Sequence, residues 1–310
     1  MHRASRRVSD GMLGRLVRRA AGRGRGRLHL SSGVWFHLIL HRIRALLARK
    51  LRARRSPRSS WQLADGEAVR LIDAALDAAA AQSAPHEVLV VVRDQPITRA
   101  AMARLREGAW LNDELVNGYL GLVAERCAAR GDARGRVHVM STFFYHKLAA
   151  GASYNYEGVS RWTREVELRA CALVLFPINL GNAHWIVVAL DVRKRHFDVW
   201  DSLHGRHHAC ARMLRRYIID EWLQKYGERT AAAEWTCVPR DDAPRQHNGF
   251  DCGVFVCAVA RCLALGVPID VSQDAMADIR RRIVFELMRR RLKLRACENG
   301  AAVVGGHAAT

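Results

Sequence analysis

The sequence predicts an α+β fold. Two runs rich in β-branched residues, Ala172–Ile178 and Trp185–Leu190, are typical of buried strands. The apolar segment Val254–Leu265 is long enough for a buried helix. Because helices and antiparallel strands interleave along the chain without an internal repeat, we expect a compact mixed domain.

The first predicted elements lie between residues 61 and 130. An Ala-rich segment, 61–84, favours a helix that flanks the main domain, and Val88–Arg93 favours a short strand. Asn112 or Asp113 is placed to cap the next helix. The apolar face of that helix is predicted to consist of Leu115, Tyr119, Leu122 and Val123.

The remaining predicted elements follow the two central strands. Arg193–Arg195 predicts a turn into a further strand, Phe197–Trp200, and a helix follows over Ala209–Tyr226. An amphipathic helix is predicted over Ala275–Leu294. Its inward positions are Ile279, Ile283, Leu287 and Leu292.

Charge divides the chain into a basic leader and a nearly neutral body. The formal net charge is +20, and residues 1–60 hold 17 Lys and Arg against a single acid, Asp10. We expect residues 1–60 to be a mostly disordered leader that contains a helix candidate at 34–55. Residues 61–86 are a helical flank or linker, 87–297 are the main domain, and 298–310 are a disordered tail.

The leader is compatible with several roles. The segment 34–55 combines apolar residues at helical spacing with arginines and lysine, a form suited to a membrane surface or an acidic partner. A nuclear-import signal, a mitochondrial presequence or a solvated tail with a transient helix would have the same composition. Nucleic-acid binding as the main activity is disfavoured, because the charge is confined to residues 1–60 and no aromatic platform interleaves with it.

Composition also restricts other classes of protein. No stretch of 18 or more apolar residues is present, so a membrane-spanning helix is not expected. The eight cysteines lack the density of a small disulfide scaffold, and the spacing of Cys252, Cys257 and Cys262 matches no zinc pattern. We therefore predict reduced thiols, no disulfide and no metal.

Cys252 is the first candidate for chemistry. It stands in Asn248–Gly253, between two glycines and ahead of an apolar run that can start a helix. A thiol at a helix N-terminus is favoured as thiolate, and the free N–H groups there point at a developing oxyanion. Taken alone, such a cysteine is more often a small buried hydrophobe.

Three further residues form a candidate constellation with this cysteine. The strands Trp185–Leu190 and Phe197–Trp200 are joined by a short turn and should form a hairpin, which places His184 beside Asp201. A base and its orienting carboxylate need that arrangement. Gln246 lies six residues before the cysteine, and its side-chain amide can donate to an oxyanion.

These positions, with several other stretches, resemble the Ulp/SENP family of SUMO-specific proteases. The order His–Asp–Gln–Cys is that of the family, and the resemblance extends in order and spacing from Val88 to Leu294. One position departs from the pattern, since His247 stands where the family often has proline. The other matching stretches are Trp110–Asp113, Ser141–Tyr145, Gly158–Trp162 and Phe176–Asn179.

The resemblance implies a fold and a set of catalytic roles. The fold would be the papain-like/adenain-like cysteine protease fold, a central mixed sheet flanked by helices with the nucleophile at a helix N-terminus. Cys252 would be the nucleophile, His184 its base and Asp201 the group that holds the imidazole. Gln246 and the backbone N–H of Cys252 would form the oxyanion hole.

The resemblance also implies a binding site for a modifier. Trp110 and Trp185 would clamp the Gly-Gly tail of the modifier in a narrow tunnel, because only glycine can thread between two indole faces. Asp113 would pair with a basic residue of the modifier. Trp162 would pack on the modifier's surface, although a core position for this indole is an equal alternative.

The implied activity is hydrolysis after the C-terminal Gly-Gly of a SUMO-like modifier, in deconjugation or precursor maturation. A NEDD8-like modifier and a catalytically inactive modifier-binding protein stay open as alternatives. Asp201 argues against related effectors that transfer acetyl groups, whose third residue is commonly Glu. We expect a monomer whose partners are the modifier and its conjugates, located in the nucleus, or else membrane-associated or organellar through its leader.

Overall fold

The computed structural model describes residues 59–63, 65–130, 136–150 and 153–295. The chain divides into two units, and all of these residues fall in the second, which starts at Arg58. The predicted leader, its helix candidate at 34–55 and the tail from 298 lie outside the described residues.

Helices and strands are interspersed along the described ranges. The helices are α1 (Gly66–Ala75), α2 (Ala78–Ser83), α3 (Arg99–Met102), α4 (Asp113–Arg130), α5 (Phe143–Leu148), α6 (His208–Tyr226), α7 (Cys252–Leu265) and α8 (Met276–Met288). The strands are β1 (Val88–Val92), β2 (Gln95–Thr98), β3 (Arg136–Val139), β4 (Cys171–Leu180), β5 (His184–Asp191), β6 (His196–Trp200) and β7 (Thr236–Pro239).

The larger sheet has the strand order β3-β4-β5-β6-β7. The three central strands pair antiparallel, whereas β3 pairs with β4 and β6 with β7 in parallel. This mixed sheet, flanked by helices, confirms the predicted α+β class. The register joins Asp191 to His196 and Val187 to Trp200, so the start of β5 and the end of β6 meet at the same end of the central strands.

Two hydrophobic cores lie on the two faces of this sheet. Alternate residues of β5 divide between the faces, as the period of a strand requires. Trp185, Val187 and Ala189 face the core formed with α4, α7 and α8. Ile186, Val188 and Leu190 face the core formed with α5 and α6.

No helix in the described ranges is long and apolar enough to cross a bilayer.

The segment predicted as a flank shares the first of these cores. The Trp61 side chain is 1% exposed, and its indole N–H donates to the carbonyl of Asp270 at 2.6 Å. The Arg282 side chain of α8 donates to the carbonyl of Trp61 at 2.8 Å. Ala68 and Ile72 of α1 are buried in the same core. The residues before β1 therefore pack on the last helix.

Several element boundaries differ from the predictions. The helix expected over 61–84 is two helices, because the Asp77 carboxylate caps α2 by accepting from the N–H groups of Ala79 and Ala80. The strand predicted at Val88–Arg93 pairs with β2 through a turn at Arg93 and Asp94, both of positive φ, a partner the sequence did not predict.

The last helix is shorter than expected. The predicted Ala275–Leu294 helix ends at Met288, and Arg290 takes a left-handed φ of 50°. Leu292 is buried as predicted, but it lies in the segment beyond the helix. The short strands β3 and β7 were also missed, since four residues give too little pattern to recognise.

Candidate active site

The predicted hairpin brings His184 and Asp201 together. His184 begins β5, and Asp201 directly follows the last residue of β6. The Nε2 atom of His184 lies 2.6 Å from Oδ1 of Asp201. Because Nε2 is held by the carboxylate, Nδ1 is the ring nitrogen left for the Cys252 thiol, which lies close enough to raise the pKa of the imidazole.

The Asp201 carboxylate is held by four donors. Oδ1 accepts from His184 and from the backbone N–H of Leu203 at 2.8 Å. Oδ2 accepts from the N–H of Gly205 at 2.7 Å and from the Nε2 of His207 at 2.8 Å. Burial acts to raise the pKa of Asp201, but these hydrogen bonds hold it well below its ordinary value. Asp201 is therefore a fixed anion.

Gly205 is required by this close packing. A Cβ at position 205 would lie 2.4 Å from Nε2 of His207 and 2.7 Å from Oδ2 of Asp201. Neither atom can retreat without breaking a hydrogen bond of the carboxylate. Sequence reasoning missed both Gly205 and His207, although each stands within six residues of the predicted carboxylate.

His184 is poised as a cation at neutral pH. Its burial acts to lower the pKa of the imidazole, but the hydrogen bonds to Asp201 and Cys252 and the negative charge of Asp201 raise this pKa to about 9. A protonated imidazole beside a thiol favours the ion pair of imidazolium and thiolate. The geometry therefore provides an activated sulfur nucleophile.

Cys252 is the first residue of α7, as predicted, and its side chain is buried. Gly253 follows it and allows a close approach. A Cβ there would lie 2.9 Å from Cβ of Leu111 and 3.2 Å from Cδ1 of Trp185. The second glycine of the motif differs, since a Cβ at Gly249 would meet open space. Only Gly253 is needed for close packing.

A buried ion pair fixes the turn Asn248–Gly253, which carries Cys252 and is called the nucleophile turn below. Arg280 of α8 donates to Oδ1 of Asp251 at 2.7 Å and 3.0 Å, and both side chains are buried. The same guanidinium donates to the carbonyls of Arg104, Arg106 and Ala109, just before Trp110. Arg280 thus joins the nucleophile turn to the segment that carries Trp110, a role that sequence reasoning missed.

Gln246 is buried and oriented by Ser202. The Ser202 hydroxyl donates to Oε1 of Gln246 at 2.6 Å, and the backbone N–H of Gln246 donates to the backbone carbonyl of Ser202 at 2.9 Å. Nε2 of the Gln246 side chain donates to the backbone carbonyl of Asn248 at 2.6 Å. One N–H of this side-chain amide is left for another acceptor. Because Ser202 follows Asp201, the amide is tied to the hairpin end.

His247 takes part in a second set of hydrogen bonds that holds the nucleophile turn. Its backbone N–H donates to Oε1 of Gln273 at 2.8 Å, and Nε2 of Gln273 donates to Oδ2 of Asp251 at 2.8 Å. A proline at 247 would remove this donor. The departure from the family pattern therefore adds a hydrogen bond to the turn.

The two predicted tail-binding tryptophans differ in exposure. Trp185 is 3% exposed, and its indole N–H donates to the carbonyl of Leu111 at 3.1 Å. Trp110, the residue before Leu111, is 43% exposed. The two residues therefore lie on connected segments beside the start of α7, and Trp110 presents its indole to solvent.

Asp113 is half-buried, and Trp162 is exposed at the surface. Asp113 opens α4, where Asn112 is the cap, and it makes no hydrogen bond or ion pair with another described residue. Trp162 is 38% exposed and packs edge-on against Phe144 at 5.7 Å. Phe143, which was not predicted as a site residue, is 54% exposed. These aromatic side chains offer an apolar surface.

His184, Asp201 and His207 are the group in the described ranges with ligand atoms close enough to bind a metal, all within 4.8 Å. Two imidazoles and a carboxylate suit Zn²⁺. However, the Asp201 oxygens already accept four hydrogen bonds, and a metal would displace the two that orient the imidazoles. The arrangement therefore fits a hydrogen-bond network.

The comparison with known families agrees with this geometry. The sequence model of the Ulp1 protease family, C-terminal catalytic domain, matches residues 109–293. The chain belongs to the Ulp1 protease family. The match includes the nucleophile turn and the β5–β6 hairpin, so the constellation described above lies inside the family's catalytic domain.

Curated relatives are similar over the same domain. The chain is 35% identical over 210 residues to the sentrin-specific protease 2 of Rattus norvegicus, which covers 67% of this chain and 35% of the relative. It is 33% identical over 221 residues to a sentrin-specific protease of Caenorhabditis elegans, with coverage of 71% and 31%. The chain thus spans about a third of the length of these relatives.

Solved structures share the fold. The catalytic domain of an Ulp1-like SUMO protease of Chaetomium thermophilum is 25% identical, with a TM-score of 0.63 over 75% of this chain and 92% of that one. The C-terminal Ulp1 protease domain in complex with Smt3, the yeast ortholog of SUMO, is 23% identical, with a TM-score of 0.61 over 74% and 96%. The fold is therefore that of Ulp1 cysteine proteases, as expected from the sequence.

Proposed function

We propose that this chain is a cysteine protease that hydrolyses the peptide or isopeptide bond after the C-terminal Gly-Gly of a SUMO-like modifier. The observation that carries the proposal is the 2.6 Å hydrogen bond between His184 and Asp201, formed beside Cys252 at the N-terminus of α7. The named activities of the relatives, sentrin-specific proteases and SUMO proteases, agree with this proposal.

The proposed reaction proceeds in two acyl-transfer steps. The Cys252 thiolate attacks the carbonyl carbon of the terminal glycine, and the carbonyl oxygen takes up the negative charge. The N–H groups at the start of α7 and the remaining N–H of Gln246 stabilise this oxyanion. The His184 imidazolium donates its Nδ1 proton to the leaving amine, and a thioester remains.

The second step regenerates the enzyme. Neutral His184 removes a proton from a water molecule, which attacks the thioester carbonyl. The sulfur leaves as thiolate, and the imidazolium forms again beside it. Asp201 stays ionised through both steps, because four donors hold its carboxylate, and it stabilises the imidazolium in its orientation. No cofactor enters this cycle.

The exposure of the site residues agrees with a glycine tail as the substrate. Cys252 is 2% exposed, and Trp185 packs against Gly253, the residue after the cysteine. A tail without side chains can reach such a sulfur, whereas a bulky residue at either of its last two positions would be excluded. We propose that Trp110 covers this tail, that Asp113 pairs with a basic residue of the modifier and that Trp162 contacts its surface.

Covalent trapping tests the nucleophile and the modifier together. Two probes, SUMO and NEDD8, each carry a C-terminal vinyl sulfone that captures an active-site thiolate. Wild-type protein is expected to form an adduct with the SUMO probe, and Cys252→Ala is expected to form none. Cys257→Ala is the matched control, because that thiol is buried within α7 and should leave the adduct unchanged.

The other outcomes of the trapping experiment are equally informative. An adduct with the NEDD8 probe in place of the SUMO probe would change the modifier and keep the chemistry. An adduct that persists in Cys252→Ala would refute the proposed nucleophile. Folded wild-type protein that reacts with neither probe would favour a modifier-binding protein without activity.

We also propose that the basic leader places the enzyme in the nucleus, because its charge suits nuclear import. Residues 1–60 fused to a fluorescent protein test this address. Accumulation at a membrane or in an organelle would favour the amphipathic segment 34–55 as the targeting element instead.

A further inference from the structure

The strand order separates the proposed modifier-binding residues from the other edge of the sheet. Trp110 and Asp113 lie at the start of α4, which packs against β3, and Trp162 packs on α5, which packs against β4. The opposite edge strand is β7, and its last residue, Pro239, pairs with Val199 near the end of β6. His184 and Asp201 stand between these two regions.

A basic groove occupies this opposite edge. It has a volume of about 220 Å³ and lies between the first turns of α6 and the strand β7. Its lining residues are Arg206, His208, Ala211, Arg212, Arg215, Cys237 and Pro239. Among the described residues, no carboxylate forms an ion pair with any of the three arginines. Asp198, on the neighbouring strand, is already paired with Arg240 at 3.4 Å.

One residue of the groove, Arg206, stands next to the residues that hold the active-site carboxylate. Arg206 lies between Gly205 and His207, and both of these neighbours donate to Oδ2 of Asp201. A chain that leaves the scissile bond on the side away from Trp110 would therefore meet the groove within a few residues. In the proposed reaction, that chain is the protein released from the modifier.

Charge and shape favour an acidic peptide over other occupants. The terminal segments of this chain offer little charge complementary to the groove, since residues 1–57 contain one acid, Asp10, and residues 296–310 contain one, Glu298. Single-stranded nucleic acid is disfavoured, because the lining has no Phe, Tyr or Trp side chain on which a base could stack. Three uncompensated arginines match carboxylates in both charge and geometry.

We infer that this basic groove is an exosite for an acidic segment of the protein from which the modifier is removed. The inference rests on the proposed function, because it assigns the groove to the leaving-group side of that reaction. It predicts a preference among conjugates: those with Asp or Glu close to the modified position are cleaved faster than neutral ones.

Two linear fusions of the modifier test the inference. Each carries about eight residues after the Gly-Gly, enough to extend about 26 Å. In one fusion these residues include Asp and Glu, and in the other Asn and Gln replace them. We expect wild-type kcat/KM to be about tenfold higher for the acidic fusion at about 0.1 M salt, and the ratio to approach one at about 1 M, where the Debye length is about 3 Å.

The charge-reversed variant Arg212→Glu/Arg215→Glu should bring the ratio to one or below. Arg70→Glu/Arg193→Glu is the matched control, because it changes the net charge equally at exposed arginines of α1 and of the β5–β6 turn. This control should keep the wild-type ratio. A ratio near one in the wild type, or an equal loss in both variants, would overturn the inference. If Arg212→Glu/Arg215→Glu does not fold, the salt dependence of the wild-type ratio still tests the groove.

A direct binding measurement separates the groove from the proposed function. The labelled acidic peptide alone is titrated with Cys252→Ala, and binding is followed by fluorescence anisotropy. If neither fusion is cleaved, the proposed function fails while peptide binding that requires Arg212 and Arg215 would still support an acidic-peptide site. Failure of the peptide to bind would refute the exosite. Stronger competition by a single-stranded oligonucleotide would refute the choice of ligand.

Discussion

The active site has two halves, the hairpin half with His184 and Asp201 and the nucleophile half with Cys252. They are positioned by different kinds of contact. His184 and Asp201 are 17 positions apart and are brought together by one β-hairpin and its hydrogen bonds. Cys252 depends on α8 instead, because Arg280 holds the neighbouring Asp251 from 29 positions away. The base is therefore fixed by local pairing, and the nucleophile by a long-range buried ion pair.

This difference predicts how each half fails. A change in the hairpin half should reduce catalysis while the fold persists, since the register of β5 and β6 does not depend on the Asp201 side chain. A change in the nucleophile half should cost stability as well, because Arg280 and Asp251 are both buried and satisfy each other. Variants on the two sides can therefore be told apart by measuring both quantities.

The largest expected effect is that of Asp201→Asn. The amide keeps the size of the side chain but cannot accept at both positions or stabilise the imidazolium, so kcat should fall by about 10³–10⁴. Asp198→Asn, on the preceding strand β6, is the control and should stay close to wild type. The check is kcat on a modifier fusion together with the urea unfolding midpoint. A loss of stability as large as the loss of activity would contradict the proposed separation.

Arg280→Met tests the nucleophile half. It leaves the Asp251 carboxylate buried without its cation and frees four backbone carbonyls, so the free energy of unfolding should fall by about 3–5 kcal/mol. Arg281→Met is the matched control, since Arg281 pairs with Asp73 on the surface and should cost less than about 1 kcal/mol. Equal losses in urea unfolding for the two variants would remove Arg280 from this role.

Gln246→Ala tests the residue that connects the two halves. Loss of one oxyanion donor lowers kcat by about 10²–10³, and the Ser202 hydroxyl also loses its acceptor. Gln224→Ala, on the exposed face of α6, is the control. Steady-state kinetics provide the measurement. A rise in KM with unchanged kcat would show that Gln246 binds the substrate without stabilising the oxyanion.

The pH dependence of kcat/KM reports on His184. Burial opposes its protonation, but the hydrogen bonds to Asp201 and Cys252 raise the pKa to about 9. The imidazolium must protonate the leaving amine, so kcat/KM should fall about tenfold per unit above about pH 9. Protonation also stabilises the fold fully below pH 6.5, and this contribution is lost as the pH rises through about 9. An alkaline limb near pH 6.5 would contradict the assignment.

The sequence predicted the hairpin half of the site better than the nucleophile half. The proximity of His184 to Asp201 follows from two adjacent strands and one turn, which local pattern reveals. The position of Cys252 at the start of α7 also follows from local pattern. The Arg280–Asp251 pair does not, since an arginine within an amphipathic helix is normally read as part of its solvated face. The strands β3 and β7 were missed because each has only four residues and its parallel partner lies far away in sequence.

The smallest expected effect concerns His207, the second imidazole on Asp201. His207→Ala removes one of four donors to the carboxylate, worth about 0.5–1.5 kcal/mol, so kcat/KM should fall about two- to tenfold. His207→Gln keeps an N–H donor of similar reach and should recover most of the activity. If His207 has a structural role elsewhere, His207→Ala and His207→Gln should lose kcat/KM equally. If it positions Asp201, His207→Gln should recover the activity that His207→Ala loses. Because His207 also borders Arg206, the acidic-to-neutral substrate ratio should stay constant in His207→Ala if the imidazole acts on Asp201 alone.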